Sequence, residues 1–312
     1  MPERRTFRDL IAANKRNSVI LLALMFAFFL VLGGVLGGAF LVPPDHLEEG
    51  VVTGFVIGAV MATIFGLIGW YGGTGTLMAF HGARKIRKSD HPQLFNVVEE
   101  VAIAAGIPMP SVYIMNEAAP NAFATGTSPE NASVAITTGL LEKLNRDELQ
   151  GVIAHEVGHI RNFDIRYSML MAMLAGGIVM LSEVMLRASF FRSSGRKSSR
   201  DRDAGQLQLV LMIVGIVLAI LAPLLTTMIE LAMSRQREYL ADASAIEFTR
   251  NPNGLAGALA KLAGDRTPME CSKATESMFI VSPKLGLRGG SDDLFSTHPP
   301  IRERIRRLMA LQ

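Results

Sequence analysis

Apolar and polar positions along this chain fall into two textures. Residues 18–42, SVILLALMFAFFLVLGGVLGGAFLV, carry no charge, and neither do residues 51–73, which end on Trp70 and Tyr71 with glycines behind them. Each run is long enough for the roughly 20 residues that a helix needs to cross about 30 Å of hydrocarbon. Aromatics at the end of a run suit a membrane interface. The first run is too long for a signal-peptide core and no small-x-small cleavage pattern follows it, so it reads as an anchor. Gly33 and Gly37, Gly34 and Gly38, and Gly54 and Gly58 each stand four apart. That spacing fits closely approaching helices, and it fits equally the general abundance of glycine in membrane helices. Two further runs, 167–186 and 207–229, are apolar but contain Glu183 and Pro223. They can span, dip in and return, or pack on a soluble part, and the pattern leaves these readings open.

Between and after these runs the texture is that of a globular domain. Ser89 or Asp90 caps a helix that has Pro92 in its first turn and Leu94, Val97, Val98 and Val101 on one face. SVYIM (111–115) and NAFATG (121–126) read as strands, and SVAITTGLLEKL (133–144) as a strand turning into a helix. Asn145 and Glu148 form a capping-box pattern at the head of the next helix. Near the end, HPPIRERIRRLMAL predicts an amphipathic helix with Ile301, Ile305 and Leu308 inward and its arginines solvated or facing lipid headgroups. The segment 263–296, rich in Gly, Pro and Ser, reads as irregular. These elements predict a mainly α protein with a small β-sheet (α+β), joined to multi-pass membrane helices. The boundaries read as an N-terminal segment 1–17, membrane helices 18–42 and 51–73, a catalytic part 81–166, the apolar runs 167–186 and 207–229, and a second catalytic part 230–312.

Composition sharpens this picture. A hydrophobic fraction of 49% against a charged fraction of 19% is high for a soluble chain, and the excess sits in the runs just described. Arg4, Arg5, Arg8, Lys15 and Arg16 precede the first run, and Arg84, Lys85, Arg87 and Lys88 follow the second, while the connecting PPDHLEEG has neither Lys nor Arg. The positive-inside rule therefore places both ends of this hairpin in the cytoplasm. The loop between the later runs is also basic, from Arg187 to Arg202, the wrong sign for an external loop. The net charge of +3 is spread out, and no nucleic-acid partner is expected. Cys271, the single cysteine, lacks a nucleophile signature and has no partner for a disulfide.

The candidate chemistry lies in IAHEVGHI (153–160). His155 and His159, four apart, share one face of a helix, where both imidazoles can reach one Zn²⁺. Glu156 sits about 100° round the helix, placed to take a proton from a water that the metal acidifies. A hydrolytic site needs a third protein ligand. MSRQREYLADASA (233–245) offers Glu238 as that ligand and Asp242 as a carboxylate for a free imidazole N–H; an exposed helix with ordinary i,i+4 charges fits the same spacing.

Together, VIAHEVGHIRNFD, SRQREYLADASA, PNAFATG and FSTHPPIRERI resemble the HtpX-type membrane zinc metalloproteases, prokaryotic relatives of the CAAX prenyl endopeptidases. The resemblance covers nearly the whole chain. It implies a gluzincin-like site with one Zn²⁺ per chain on His155, His159 and Glu238, Glu156 as general base and Asp242 behind the ligands. It implies further that Asn121 to Ala124 form an edge strand beside the site, with Asn121 a substrate contact or a turn residue. His298 is then a contact for substrate or oxyanion, or simply the residue before the two prolines that start a helix. The implied partners are protein or peptide substrates, especially misfolded membrane proteins, together with the lipid bilayer, in functional overlap with other membrane quality-control proteases. The implied location is the plasma (inner) membrane of a prokaryote, with the catalytic domain facing the cytoplasm. A specific processing protease of the CAAX kind, or a non-catalytic zinc-stabilised membrane protein, are the alternatives.

Overall fold

In the computed structural model the described residues are 7–40, 46–170, 213–214, 217, 235–269, 275, 278–281 and 299–310. Most of the runs 167–186 and 207–229, most of 263–296, and His298 lie outside them. The chain divides into two compact units, one of residues 1–18, 71–169 and 229–312, the other of residues 19–70 and 170–228.

Two helices dominate the described part of the second unit. Helix α1 (Phe7–Phe40) starts well inside the basic N-terminal segment. Helix α2 (Leu47–Leu67) continues through a π-turn, Ile68–Gly72, into α3 (Gly73–Phe80). Ala12–Gly37 and Glu48–Phe80, with mean hydropathies of 2.9 and 2.4, are long and apolar enough to cross a membrane. Their outer faces expose large apolar side chains, among them Val19, Leu24, Val31, Val52 and Val56. Where the two helices come closest, glycines face each other, while Phe29 stacks on Phe65 farther along the contact, ring centroids 5.2 Å apart. A β-carbon on Gly33 would collide with the Gly54 carbonyl, and one on Gly37 with the Gly50 carbonyl. The four-residue spacing therefore serves close backbone approach at Gly33, Gly37, Gly54 and Gly58, whereas Gly34 faces the Phe55 ring.

The first unit wraps a short sheet and several helices around one central helix. Strands β1 (Arg84–Lys85), β2 (Ser111–Met115), β3 (Ala122–Gly126) and β4 (Ala132–Thr137) lie in the order β1-β2-β4-β3. β2 and β4 pair in parallel, while β3 runs antiparallel to β4 and forms one edge. Helix α4 (Pro92–Ala105) is capped by His91, whose Nδ1 accepts from the Leu94 N–H at 3.2 Å. Neither Ser89 nor Asp90 caps it. Pro92 opens the helix and so fixes the cap one residue before itself, and Asp90 instead accepts from the Arg87 N–H. Thr137 caps α5 (Thr138–Lys143), so the strand turns directly into a helix.

Helix α6 (Arg146–Arg161) carries the His–Glu–x–x–His motif and begins with the full Asn145–Glu148 capping box. Its residues Leu149, Val152, Ile153, Ala154, Val157 and Ile160 are all buried, because α6 has neighbours on every side. Helices α7 (Arg235–Thr249) and α8 (Pro252–Ala263) pack against it, as do α4 and β3. Gly158 lets α7 come close: a β-carbon there would stand 3.3 Å from Ala241 Cα. Helix α9 (Ile301–Met309) packs on α8 and α7.

Candidate active site

The packing of α7 against α6 brings three side chains to one point. His155 Nε2 and His159 Nε2 are 3.2 Å apart. Glu238 Oε2 lies 3.7 Å from the first and Oε1 3.4 Å from the second. A tetrahedral ion with ligands at about 2.0–2.1 Å needs donor atoms roughly 3.3–3.4 Å from one another. The three donors therefore fit a small divalent metal ion, and they form a possible metal group among the described residues. Two nitrogens and a carboxylate oxygen also suit such an ion chemically. Around them is a cavity of about 20 Å³, the size of one water or ion, lined by Ala124, Glu156, Asp164, Ile165, Ser168 and Met278 to Ile280 besides the three donors.

Each imidazole is oriented from behind. Asp242 Oδ1 is 2.9 Å from His155 Nδ1, and Asp164 Oδ2 is 3.1 Å from His159 Nδ1. Protons on both Nδ1 atoms leave both Nε2 lone pairs for a metal. Arg304 completes the arrangement, donating to Asp242 through Nε (2.9 Å) and Nη2 (2.7 Å) while Nη1 stands 3.4 Å from Glu238.

The electrostatics follow from burial and these partners. His155 is 1% exposed; burial, and then the Arg304 charge, push its pKa down to about 4, which keeps it a neutral donor. His159 is also desolvated, but the Asp164 and Glu238 carboxylates outweigh burial and hold its pKa well above the ordinary histidine value. Burial favours the protonated form of Asp242, yet Arg304 and His155 prevail and lower it to about 2. Glu156, 2% exposed, is raised to about 8, chiefly by burial, although the Ala124 backbone N–H bonds to its carboxylate. Glu156 thus faces the cavity beside the donors without being one of them.

Asn121 is buried at the start of the edge strand. Its Nδ2 donates to the Val281 carbonyl at 2.9 Å, and its Oδ1 accepts from the Ala122 N–H at 3.1 Å. The Ile280 N–H reaches the Ala122 carbonyl at 3.0 Å, so residues 280–281 lie along this end of β3. His298 lies outside the described residues; Pro299 after it is buried.

A second expectation fails, after the cap of α4. The arginines of α9 are not all solvated: Arg304 is fully buried, with 0% exposure. A signal existed, since Arg304 shares the stripe Ile301, Ile305 and Leu308 at helical spacing, but residue type outweighed position. Asp164 and Asn14, which bonds to it, were also missed. Asp164 stands five residues past the second histidine, where it reads as an ordinary helix-end acid.

The sequence pattern of peptidase family M48 matches residues 88–312. The chain belongs to that family. Among the M48 relatives it resembles, the Protease HtpX homolog of Streptococcus gordonii is 44% identical over 300 residues, covering 96% of this chain and 97% of the relative. The Protease HtpX homolog of Listeria monocytogenes is 44% identical over 304 residues, with the same coverages. The crystal structure of S. mikatae Ste24p shares the fold at a TM-score of 0.51 and 19% identity, covering 96% of this chain and 66% of that one. As an M48 member with two apolar helices of spanning length, the chain is a membrane metalloprotease, and His155, His159 and Glu238 are a site that can hold its metal.

Proposed function

We propose that this chain is a multi-pass zinc endopeptidase of the gluzincin type, cutting misfolded or damaged membrane proteins on the cytoplasmic side of a prokaryotic inner membrane. The observation that carries the reading is the donor triangle of His155, His159 and Glu238, with Glu156 alongside but outside it. When bound, zinc would polarise the scissile carbonyl and acidify a water. The residues named would then divide the work. Glu156, held by the Ala124 N–H, takes a proton from the attacking water and returns it to the leaving amine. Asp242 and Asp164 keep the imidazoles in the Nδ1–H tautomer. Arg304 balances the buried carboxylates of Asp242 and Glu238.

Edge strand β3 supports an extended substrate. The Ala122 end of the strand is already taken, the carbonyl there facing outward to Ile280, so a peptide would pair farther along the strand. By strand alternation Ala124 faces the same way, toward Glu156 and the cavity. A peptide read through its backbone there needs little side-chain specificity, which suits clearance of damaged proteins. Cytoplasmic orientation is supported by the basic flanks of the first two apolar runs and the uncharged-to-acidic loop between them. Asn121 and His298 are assigned to substrate or oxyanion contact in this reading.

The test is cleavage of an unfolded membrane protein by the full chain with zinc, wild type against Glu156→Gln. Loss of a general base predicts a fall of about 10²–10⁴-fold with zinc content unchanged. Equal cleavage by both proteins would contradict the mechanism. Cleavage of one site near a lipidated terminus, rather than many dispersed sites, would replace quality control with specific processing.

A further inference from the structure

Asp242, Asp164 and Arg304, the outer partners of the metal donors, all fall inside the stretch 88–312 matched by the family. One residue reaching the site does not. Asn14 belongs to α1 and is 2% exposed. Its Nδ2 donates to Asp164 Oδ1 and to the Asn162 carbonyl at 3.0 Å. The other oxygen of Asp164, Oδ2, faces His159 Nδ1 at 3.1 Å. A continuous path thus runs from an N-terminal side chain through one carboxylate to a metal donor.

The surroundings show why this grip matters. Asn162 and Phe163 form the turn that ends α6, and Phe163 has φ 60°, a left-handed conformation costly for a bulky residue. The amide of Asn14 fastens one side of that turn, and the Lys15 ammonium lies 4.2 Å from the centre of the Phe163 ring. Ser18 Oγ donates to the Asn14 carbonyl at 2.8 Å. Arg237 Nε, a cation near the same oxygen of Asp164, stands off at 3.8 Å. Asn14 is therefore the close donor that sets how Asp164 is turned.

We propose that Asn14 is a positioning residue for the metal site, fixing Asp164 so that its second oxygen holds His159 in the donor tautomer. The inference rests on His159 as a metal ligand. It makes the N-terminal segment part of the peptidase site, although the family match begins only at residue 88.

Co²⁺ bound to the full chain in detergent is the probe, because its visible bands report ligand geometry; affinity is read by competition with a chelator. Asn14→Ala should weaken Co²⁺ binding about tenfold, the lower end of the cost of losing an outer partner, and shift the bands. Asn14→Asp keeps the shape but sets a carboxylate against Asp164, so it should be worse than Asn14→Ala. Combining it with Asp164→Asn exchanges amide and carboxylate. An amide oxygen then still accepts from His159, and part of the loss should return. A residue that merely packs would give the opposite order, with the isosteric Asn14→Asp milder and no recovery in the double variant. That order, or unchanged affinity and bands in Asn14→Ala, would overturn the proposal. Should Asn14→Asp fail to fold, Asn14→Ala and the double variant decide through the same bands. A wild-type chain that binds no Co²⁺ would instead overturn the ligand assignment itself, and this inference with it.

Discussion

At their closest approach helices α1 and α2 have almost nothing between them, whereas α6, α7 and α9 meet through fully buried charge. At the first contact Gly33, Gly37, Gly54 and Gly58 place backbone against backbone. At the second, Arg304 ties Asp242 and Glu238 together behind His155. The glycine contact depends on shape alone and tolerates no added volume. The charged contact depends on balance, so any single member removed leaves its partners unpaired in a medium that cannot solvate them.

The largest effect should come from breaking that balance. Arg304→Met keeps bulk but strands the carboxylates of Asp242 and Glu238, and should destabilise the metal-free protein by about 3–5 kcal/mol. Denaturant unfolding of the full chain checks it, and a loss below about 1 kcal/mol would mean that the arginine behaves as a surface residue.

The contrast also explains what could be read in advance. The first two apolar runs, the capping box at Asn145 and the two histidines four apart are local patterns, and each maps onto a described element. Glu238 and Asp242 were legible as a pair because helical spacing alone puts them on one face. Arg304, Asp164 and Asn14 were not, because their meaning lies in partners far away in sequence: Arg304 reads as one basic residue among several until Asp242 stands beside it. Pro92 fixed the cap of α4 at His91 for a local reason that the choice of a better capping residue obscured.

A smaller effect tests the glycine contact. Gly54→Val should cost about 1–3 kcal/mol by overpacking, since its side chain would press on Gly33 and Gly37. Gly75→Ala, where an added β-carbon meets nothing within 4 Å, should instead be neutral or stabilise α3 by up to about 1 kcal/mol. Thermal unfolding of both variants in one detergent gives the comparison.

The smallest effect is titration away from the metal. His81 is half-buried against the rings of Phe123 and Phe279, and burial lowers its pKa below 6.5. The unfolded chain therefore takes up this proton first as pH falls, and stability drops from about pH 7 downward until the folded pKa is passed. His81→Phe should flatten that part of the stability–pH curve; an unchanged slope would show that the ring is not shielded.

Zinc-edge X-ray absorption on the full chain tests the central claim most directly. The account predicts one zinc per chain with two imidazole nitrogens and a carboxylate oxygen at about 2.0–2.2 Å, and loss of one imidazole shell on His159→Ala. A zinc coordinated without imidazole, or a spectrum unchanged in His159→Ala, would contradict it.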